Sequence, residues 1–322
     1  MFRFTIKLLA TASMVVLAME AAAQAYPNKY IRLVVAVAPA GGPDIVARLI
    51  APKLSEALGQ PVVVDNRAGG NGNIAGDVVA KSPPDGYTIL LAMDSILVIN
   101  PHLYTKMSFD PLKDLVPVTS LVSNGFFLAA NPSVPAKTFP EFLDYARRSK
   151  PPLNYASGGN GSQHHLTMER LKARAGIEMI HVPYKSGGPA TMAVVGGEVP
   201  IMMSGTSTAG QIRSGRLRAL AFTGPKRSDV LPDVPTIAEF YPDFVMVQWY
   251  GLFAPAKTPE AILSRLRTEV QNVLAGADIR NKLRNAGGLE VWISSPQEFA
   301  AQIRHEYDVY GKLVKDTGAK ID

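Results

Sequence analysis

The stretch from Ile31 to Arg48, Ile-Arg-Leu-Val-Val-Ala-Val-Ala-Pro-Ala-Gly-Gly-Pro-Asp-Ile-Val-Ala-Arg, constrains the fold more than any other part of the chain. It begins as a β-branched apolar run too short for a helix, which suits a strand buried on both faces. A Pro-Ala-Gly-Gly-Pro-Asp turn follows. From Asp44 the period changes, and Ile45, Leu49, Pro52 and Leu54 mark an amphipathic helix expected to stop at Gly59. Strand, glycine turn and helix start together place unpaired backbone N–H groups at the carboxyl end of a strand. Gly41 and Gly42 let the backbone approach a ligand, and the helix dipole favours negative charge there. An ordinary βα turn with an Asp cap carries the same residues, so the functional reading leans on a second turn of this type further along.

The chain supplies that turn. Pro61–Asp65 reads as a strand, Asn66–Asn73 as a glycine-rich turn, 74–81 as a helix and Tyr87–Met93 as a third strand. Strands and helices alternating at this spacing form a parallel α/β sheet. Leu115–Leu121 and Phe126–Ala130 read as two strands around Ser123-Asn124-Gly125. Leu153–Ser157 then ends in Gly158-Gly-Asn-Gly-Ser162, which opens a helix over Gln163–Ala175 and repeats the first design. Further strands are expected at Met179–Val182, Ile201–Ser204, Leu217–Thr223 and Trp249–Ala254. Tyr184–Pro189 starts a helix to Val195, and the remainder is mainly helical, over Pro259–Leu274 and Pro296–Val314. The reading is two α/β lobes, each with a glycine turn able to hold an anion, joined by crossing segments near Val122 and Trp249. A cleft between such lobes suits a small ligand.

Composition narrows the class. The 33 basic and 27 acidic residues are scattered, with no basic block of five, which argues against nucleic acid as a partner. At the N-terminus, Arg3 and Lys7, the apolar run Leu8–Ala18 and Ala23-Gln24-Ala25 form a secretory signal peptide, with cleavage expected after Ala25. The apolar run is too short for a comfortable membrane span, and no other stretch reaches that length. There is no cysteine, hence neither a disulfide nor a thiol for a lipid, and the exported protein is expected free in the periplasm.

Several further motifs occur in order: Asp85-Gly-Tyr-Thr88, Asn100-Pro-His-Leu-Tyr104, Asn154-Tyr-Ala-Ser157-Gly, His181-Val-Pro-Tyr-Lys185, Leu231-Pro-Asp-Val-Pro-Thr236 and Gly251-Leu-Phe-Ala-Pro255. With the turns above, they closely resemble the Bug-type periplasmic substrate-binding receptors of tripartite tricarboxylate transporters, along essentially the whole mature chain. The resemblance implies a two-lobed periplasmic binding protein of the type II, Venus-flytrap kind, each lobe a mainly parallel sheet flanked by helices. Lobe 1 would comprise residues 26–122 plus 250–322, and lobe 2 residues 123–249. It implies a monomer without a cofactor that closes on a small carboxylate and delivers it to a two-component membrane permease. Carried onto this chain, the gripping residues are Ala40, Gly41, Gly42 and Asp44 in the first turn. In the second they are Ser157, Gly158, Asn160, Gly161, Ser162 and His165. Ordered waters would bridge part of the contact.

Three positions depart from that pattern: Val37 replaces an aromatic, Met202-Met203-Ser204-Gly205 replaces a more polar segment, and Met93-Asp94-Ser95 replaces a Thr/Ser/Gly-rich strand end. Ser204, Asp94 and Ser95 are therefore added as candidate contacts. Strand ends face the crevice in parallel α/β sheets, so Asp94 is expected to meet an amine, amide or hydroxyl and to repel a second carboxylate. The alternative is that Asp94 merely caps the segment after it.

His164-His165 with Glu169 and His181 has poor spacing for a helical metal site, since useful histidines stand at i and i+4. Capping or lining suits them better, and no metal is expected. Ser157 or Ser162 with His165 offers a nucleophile pair but lacks an orienting acid, which argues against a hydrolase. Trp249 and Tyr250 read as hinge-packing aromatics before ligand stackers. A sensor presenting its closed form to a membrane signalling protein has the same sequence features as a transport receptor.

Overall fold

The computed structural model describes residues 26–39 and 41–321; the expected leader, residues 1–25, and Ala40 lie outside the described residues. The apolar run forms β1 (Ile31–Val35), in which Ile31, Leu33, Val34 and Val35 are completely buried. Each such side chain contributes roughly 1.5–3 kcal/mol by leaving water. Helix α1 (Gly42–Leu58) follows and ends at Gly59 in the left-handed region, φ 67°. β2 (Val62–Asn66), α2 (Asn73–Ala80) and β3 (Thr88–Met93) complete a parallel β2-β1-β3 unit. Three short helices, α3 (Asp94–Val98), α4 (Asn100–Leu103) and α5 (Pro111–Asp114), lead into β4 (Leu115–Ala130).

β4 is one strand of 16 residues, not the two expected around Ser123-Asn124-Gly125. It changes partners instead of breaking. Residues up to Gly125 pair antiparallel with β9 (Val247–Pro255), and Phe126–Ala130 pair antiparallel with β7 (Ile201–Gly205). The glycine sits at the exchange, where the chain passes from one half of the sheet to the other.

The second half is built by α6 (Phe139–Arg148), β5 (Leu153–Ser157), α7 (Gln163–Ala175), β6 (Met179–Pro183), α8 (Gly187–Val195), β7, α9 (Ala209–Arg213) and β8 (Arg218–Phe222). After β9 come α10 (Glu260–Ala275), α11 (Ala277–Gly287), β10 (Glu290–Val291) and α12 (Pro296–Thr317). Strand order is β2-β1-β3-β9-β4-β7-β5-β6, with β8 and β10 also paired to β4. The parallel sheets expected for the lobes are thus confined to β2-β1-β3 and β6-β5-β7. The crossing strands β9 and β4 make the sheet mixed, because each returns from the other half.

α12 starts with a capping box between Ser295 and Glu298 and lies across α3, α4, β4 and α7. Beneath it Trp249 is completely buried, its ring 5.0 Å from Phe299 in a T-shaped contact. Of the two aromatics expected to pack at the crossing, Trp249 packs into the core, whereas Tyr250 turns its ring to a cavity between the halves. No helix among the described residues is long and apolar enough to cross a membrane.

Candidate functional site

A cavity of about 350 Å³ opens where the two half-sheets meet. From the first lobe it receives the start of α1 at Gly42. From the crossing strands come Asn124, Gln248 and Tyr250, and from the second lobe His164, Gly187 and the 205–208 turn. Asn124 and Gln248 face each other in the β4–β9 register, which is why two residues so distant in sequence share one wall. Thr206 donates its hydroxyl to the Gly287 carbonyl at the end of α11, so one edge of the cavity is closed by a bond between the halves.

Among the described residues the lining contains no Asp, Glu, Lys or Arg. Positive potential comes instead from backbone. α1 begins after Gly41, in extended conformation, with no side-chain cap, and α8 begins after Ser186, likewise uncapped. These helices have 17 and 9 residues, and their first N–H groups lack intrahelical partners. Two uncapped helix starts of opposite lobes therefore open on one uncharged cavity. A negative group at such an end gains about 0.3–1 kcal/mol, up to ~2 when partly buried. Gly42 must lack a side chain, because a Cβ there would collide with the Tyr250 hydroxyl.

The sequence-expected residues divide into three groups. Gly42 lines the cavity and Gly41 precedes it. Asp44 is buried and turns its carboxylate to Arg48, at 2.9 Å, and to the Asn66 amide, also at 2.9 Å. That network ties α1 to the end of β2.

The 157–162 turn closes largely on itself. Ser157 is completely buried, and its Oγ accepts from the Gly159 N–H at 3.0 Å and pairs with His181 Nε2 at 2.6 Å. Ser162 caps α7 by accepting the His165 N–H. His165 Nδ1 accepts the Gly161 N–H at 3.1 Å, while its ring stacks on His181 at 4.0 Å. Asn160 is exposed. Gly161 packs on Leu103 of the first lobe, and Gly158 backs onto the His164 ring. Of the histidine pair, His164 faces the cavity and His165 points into the protein.

Asp94, Ser95 and Ser204 form the third group. None lines the cavity. Asp94 is completely buried and accepts from the Ser95 N–H at 2.7 Å, the Trp249 N–H at 3.3 Å and the Gln163 side-chain amide. Burial, then the nearby Glu306, pushes its carboxyl well above the usual carboxylate range. The strand-end argument fails here because β3 turns directly into α3, whose packing under α12 and β9 encloses the carboxylate. Asp94 instead joins the lobes from behind, through Gln163. Ser204 Oγ bonds Thr208 Oγ1 at 2.9 Å and supports the turn that does line the cavity.

The sequence alone does not single out His164 as a contact, nor Asn124, Gln248, Gly187 and Gly188. One signal for the last two was present: Gly-Gly-Pro occurs at 41–43 and again at 187–189, each time opening a helix. Burial lowers the His164 pKa to about 4, leaving a neutral imidazole near pH 7. Among the described residues no cluster of three His, Cys, Asp or Glu side chains is arranged to hold a metal.

Comparison with known proteins fits this geometry. The family described as TctC, tripartite tricarboxylate transporter family receptor, matches residues 46–319. The chain is 34% identical to Protein BugT of Bordetella pertussis, over 95% of this chain and 94% of that one. It superposes on Rpa4515 of R. palustris, solved with adipate, at a TM-score of 0.79 with 34% identity, covering 92% of this chain and 100% of that one. MatC from Rhodopseudomonas palustris, solved with bound malate, gives 0.74 with 31% identity, covering 90% and 100%. With a family match spanning most of its length, the chain belongs to the tripartite tricarboxylate transporter receptors, the TctC or Bug family of periplasmic solute-binding proteins.

Proposed function

We propose that this protein captures a small carboxylate in the cavity between its lobes and delivers it to the membrane permease of a tripartite tricarboxylate transporter. The observation that carries the reading is the pair of uncapped helix starts, α1 and α8, opening from opposite lobes on a cavity without charged side chains. An anion bridging them is held by backbone donors of both lobes, which couples binding to closure. The crossing segments near 122–125 and 247–250 serve as the hinge. The adipate and malate bound by the two relatives support a carboxylate as the ligand class. The gripping residues we assign are Gly42 of the first lobe and Gly187 and Gly188 of the second; the Gly41 N–H donates to the Ala38 carbonyl.

The reading is of a receptor that works without turnover. The Ser157–His181 pair has the contact of a nucleophile and base, yet Ser157 is completely buried and its hydroxyl is committed to Gly159. Export follows from the N-terminal signal peptide read in the sequence.

Isothermal titration of the mature protein against straight-chain, hydroxy, keto and amino carboxylates tests the ligand class. At least one acid is expected to bind in the micromolar range or tighter, and a panel without a binder refutes the proposal. Uptake of that acid into proteoliposomes carrying the cognate permease, dependent on added receptor, tests delivery.

A further inference from the structure

His164 is the second residue of α7, and its ring enters the cavity beside Phe126, with ring centres 5.5 Å apart at 80°. Two glycine backbones hold the opposite edge. A Cβ added to Gly158 would stand 3.0 Å from His164 Nδ1, and one added to Gly187 would stand 2.9 Å from Cε1. The imidazole is wedged between the turn before α7 and the turn before α8, so its orientation is set by two backbones and one aromatic face.

That wedge determines which nitrogen carries the proton. Nδ1 is buried and, among the described residues, has no hydrogen-bond partner. An N–H there, against the Gly158 backbone, would be a buried donor with no acceptor. A lone pair suits that place better. The proton then resides on Nε2, which shares with Cε1 the edge of the ring nearer Gly187 at the start of α8. Burial keeps the imidazole neutral.

We propose that His164 contacts the ligand directly, its Nε2–H donating to an acceptor oxygen beside the start of α8. The cavity then takes acids that carry a second acceptor group and discriminates against those with an ammonium in its place. The proposal rests on the carboxylate reading above and adds to it a residue and a selectivity. One carboxylate lies at the start of α1. The second group, a carboxylate or a carbonyl, meets two kinds of donor at once, the α8 amides and the imidazole. An ammonium at this end faces donors only, and the helix dipole opposes it. This reverses the amine-bearing ligand that Asp94 implied when placed at the cavity.

The test uses straight-chain C4–C8 dicarboxylates and the matched ω-amino acids, among them adipate and 6-aminohexanoate. Titrations compare wild type, His164→Leu and His164→Gln. Leu keeps the wedge without a donor, while Gln keeps an N–H. Wild type is expected to prefer the best dicarboxylate over its ω-amino partner by about tenfold or more. His164→Leu should lose on the order of ten- to a hundredfold in dicarboxylate affinity at unchanged melting temperature, and His164→Gln should recover most of it. In ¹⁵N NMR of the unliganded wild type, His164 should be neutral with its proton on Nε2 from pH 5.5 to 8. Equal dicarboxylate binding by wild type and His164→Leu overturns this proposal alone, as does a proton on Nδ1 or a charged ring above pH 6. A wild type that binds none of these acids, or any in the wider panel, overturns the carboxylate reading and this proposal with it.

Discussion

Two turns of the second lobe are both rich in glycine, both follow a strand and both open a helix, yet they differ in what they leave unsatisfied. Before α7, Ser162 caps the helix, Ser157 takes the Gly159 N–H, and His165 takes the Gly161 N–H. Before α8, Ser186 offers no side-chain cap, and Gly187 and Gly188 line the cavity. The first turn has spent its donors on its own side chains; the second presents them. A glycine turn at a helix start is therefore an anion site only where no neighbouring side chain has taken its amides. The start of α1 is of the open kind, and it stands across the cavity from α8.

The largest effect should come from closing an open turn sterically. Gly42→Val puts a Cβ into the Tyr250 hydroxyl and covers the first N–H groups of α1. Carboxylate binding should fall by about a hundredfold or more, measured by titration calorimetry, while circular dichroism keeps the wild-type spectrum. Retained affinity would remove α1 from the site.

Gly187→Ala is milder, since it adds one methyl where valine adds a branched side chain, and the clash it makes is the looser of the two. The imidazole must give way by a few tenths of an ångström at Cε1, now 2.9 Å from where that Cβ would stand. An affinity loss of about tenfold is expected, with little change in melting temperature. Ser162→Ala breaks the closed turn instead. It removes the cap on the His165 N–H and should cost about 1 kcal/mol of stability in urea unfolding. Affinity should change by less than about threefold. If Ser162→Ala weakens binding more than Gly187→Ala does, the two turns have been assigned the wrong way round.

Much of this was legible in the sequence, for reasons that also explain the gaps. Strands such as Ile31–Val35 were readable because burial on both faces demands a continuous apolar run. α1 could be bounded because Gly59 adopts the left-handed conformation that ends helices. α11 was missed: only Ile279 and Leu283 of its residues are buried, too few to show a period, and Gly276 gives no capping signal. The continuity of β4 was missed because a glycine where a strand exchanges partners looks like a turn.

Within the site, Gly42 was readable from local chemistry alone. Asn124 and Gln248 were not, since they meet only through the register of two strands more than a hundred residues apart. The choice between His164 and His165 was not local either. Both faces of α7 near its start are covered, one by His181 and the other by Phe126, and adjacent helical residues differ by a rotation that sequence cannot orient. The repeated Gly-Gly-Pro was readable and is the clearest pointer to α8.

The smallest effect on affinity should come from Asp94, whose carboxylate ties the lobes behind the cavity. Asp94→Asn should leave every carboxylate affinity within about threefold of wild type, because no cavity wall includes this residue. Its signature is in stability against pH. Burial, then Glu306, raises the Asp94 pKa in the folded protein above the ordinary value near 3.9. Between those two values the folded state holds a proton that the unfolded chain has released. Stability from this group is thus fully present below the ordinary pKa and is lost as pH rises through the raised one. For each proton so held, the slope approaches about 1.4 kcal/mol per pH unit. Glu306, also raised by burial, contributes with the same sign even though Trp249 Nε1 and Gln302 donate to it. In urea unfolding from pH 4.5 to 8, Asp94→Asn should show a shallower decline than wild type, and adding Glu306→Gln should flatten it further. A decline parallel to wild type would show that Asp94 ionises normally. A change in carboxylate selectivity would place it in contact with ligand, and the closed region behind the cavity would then belong to the site.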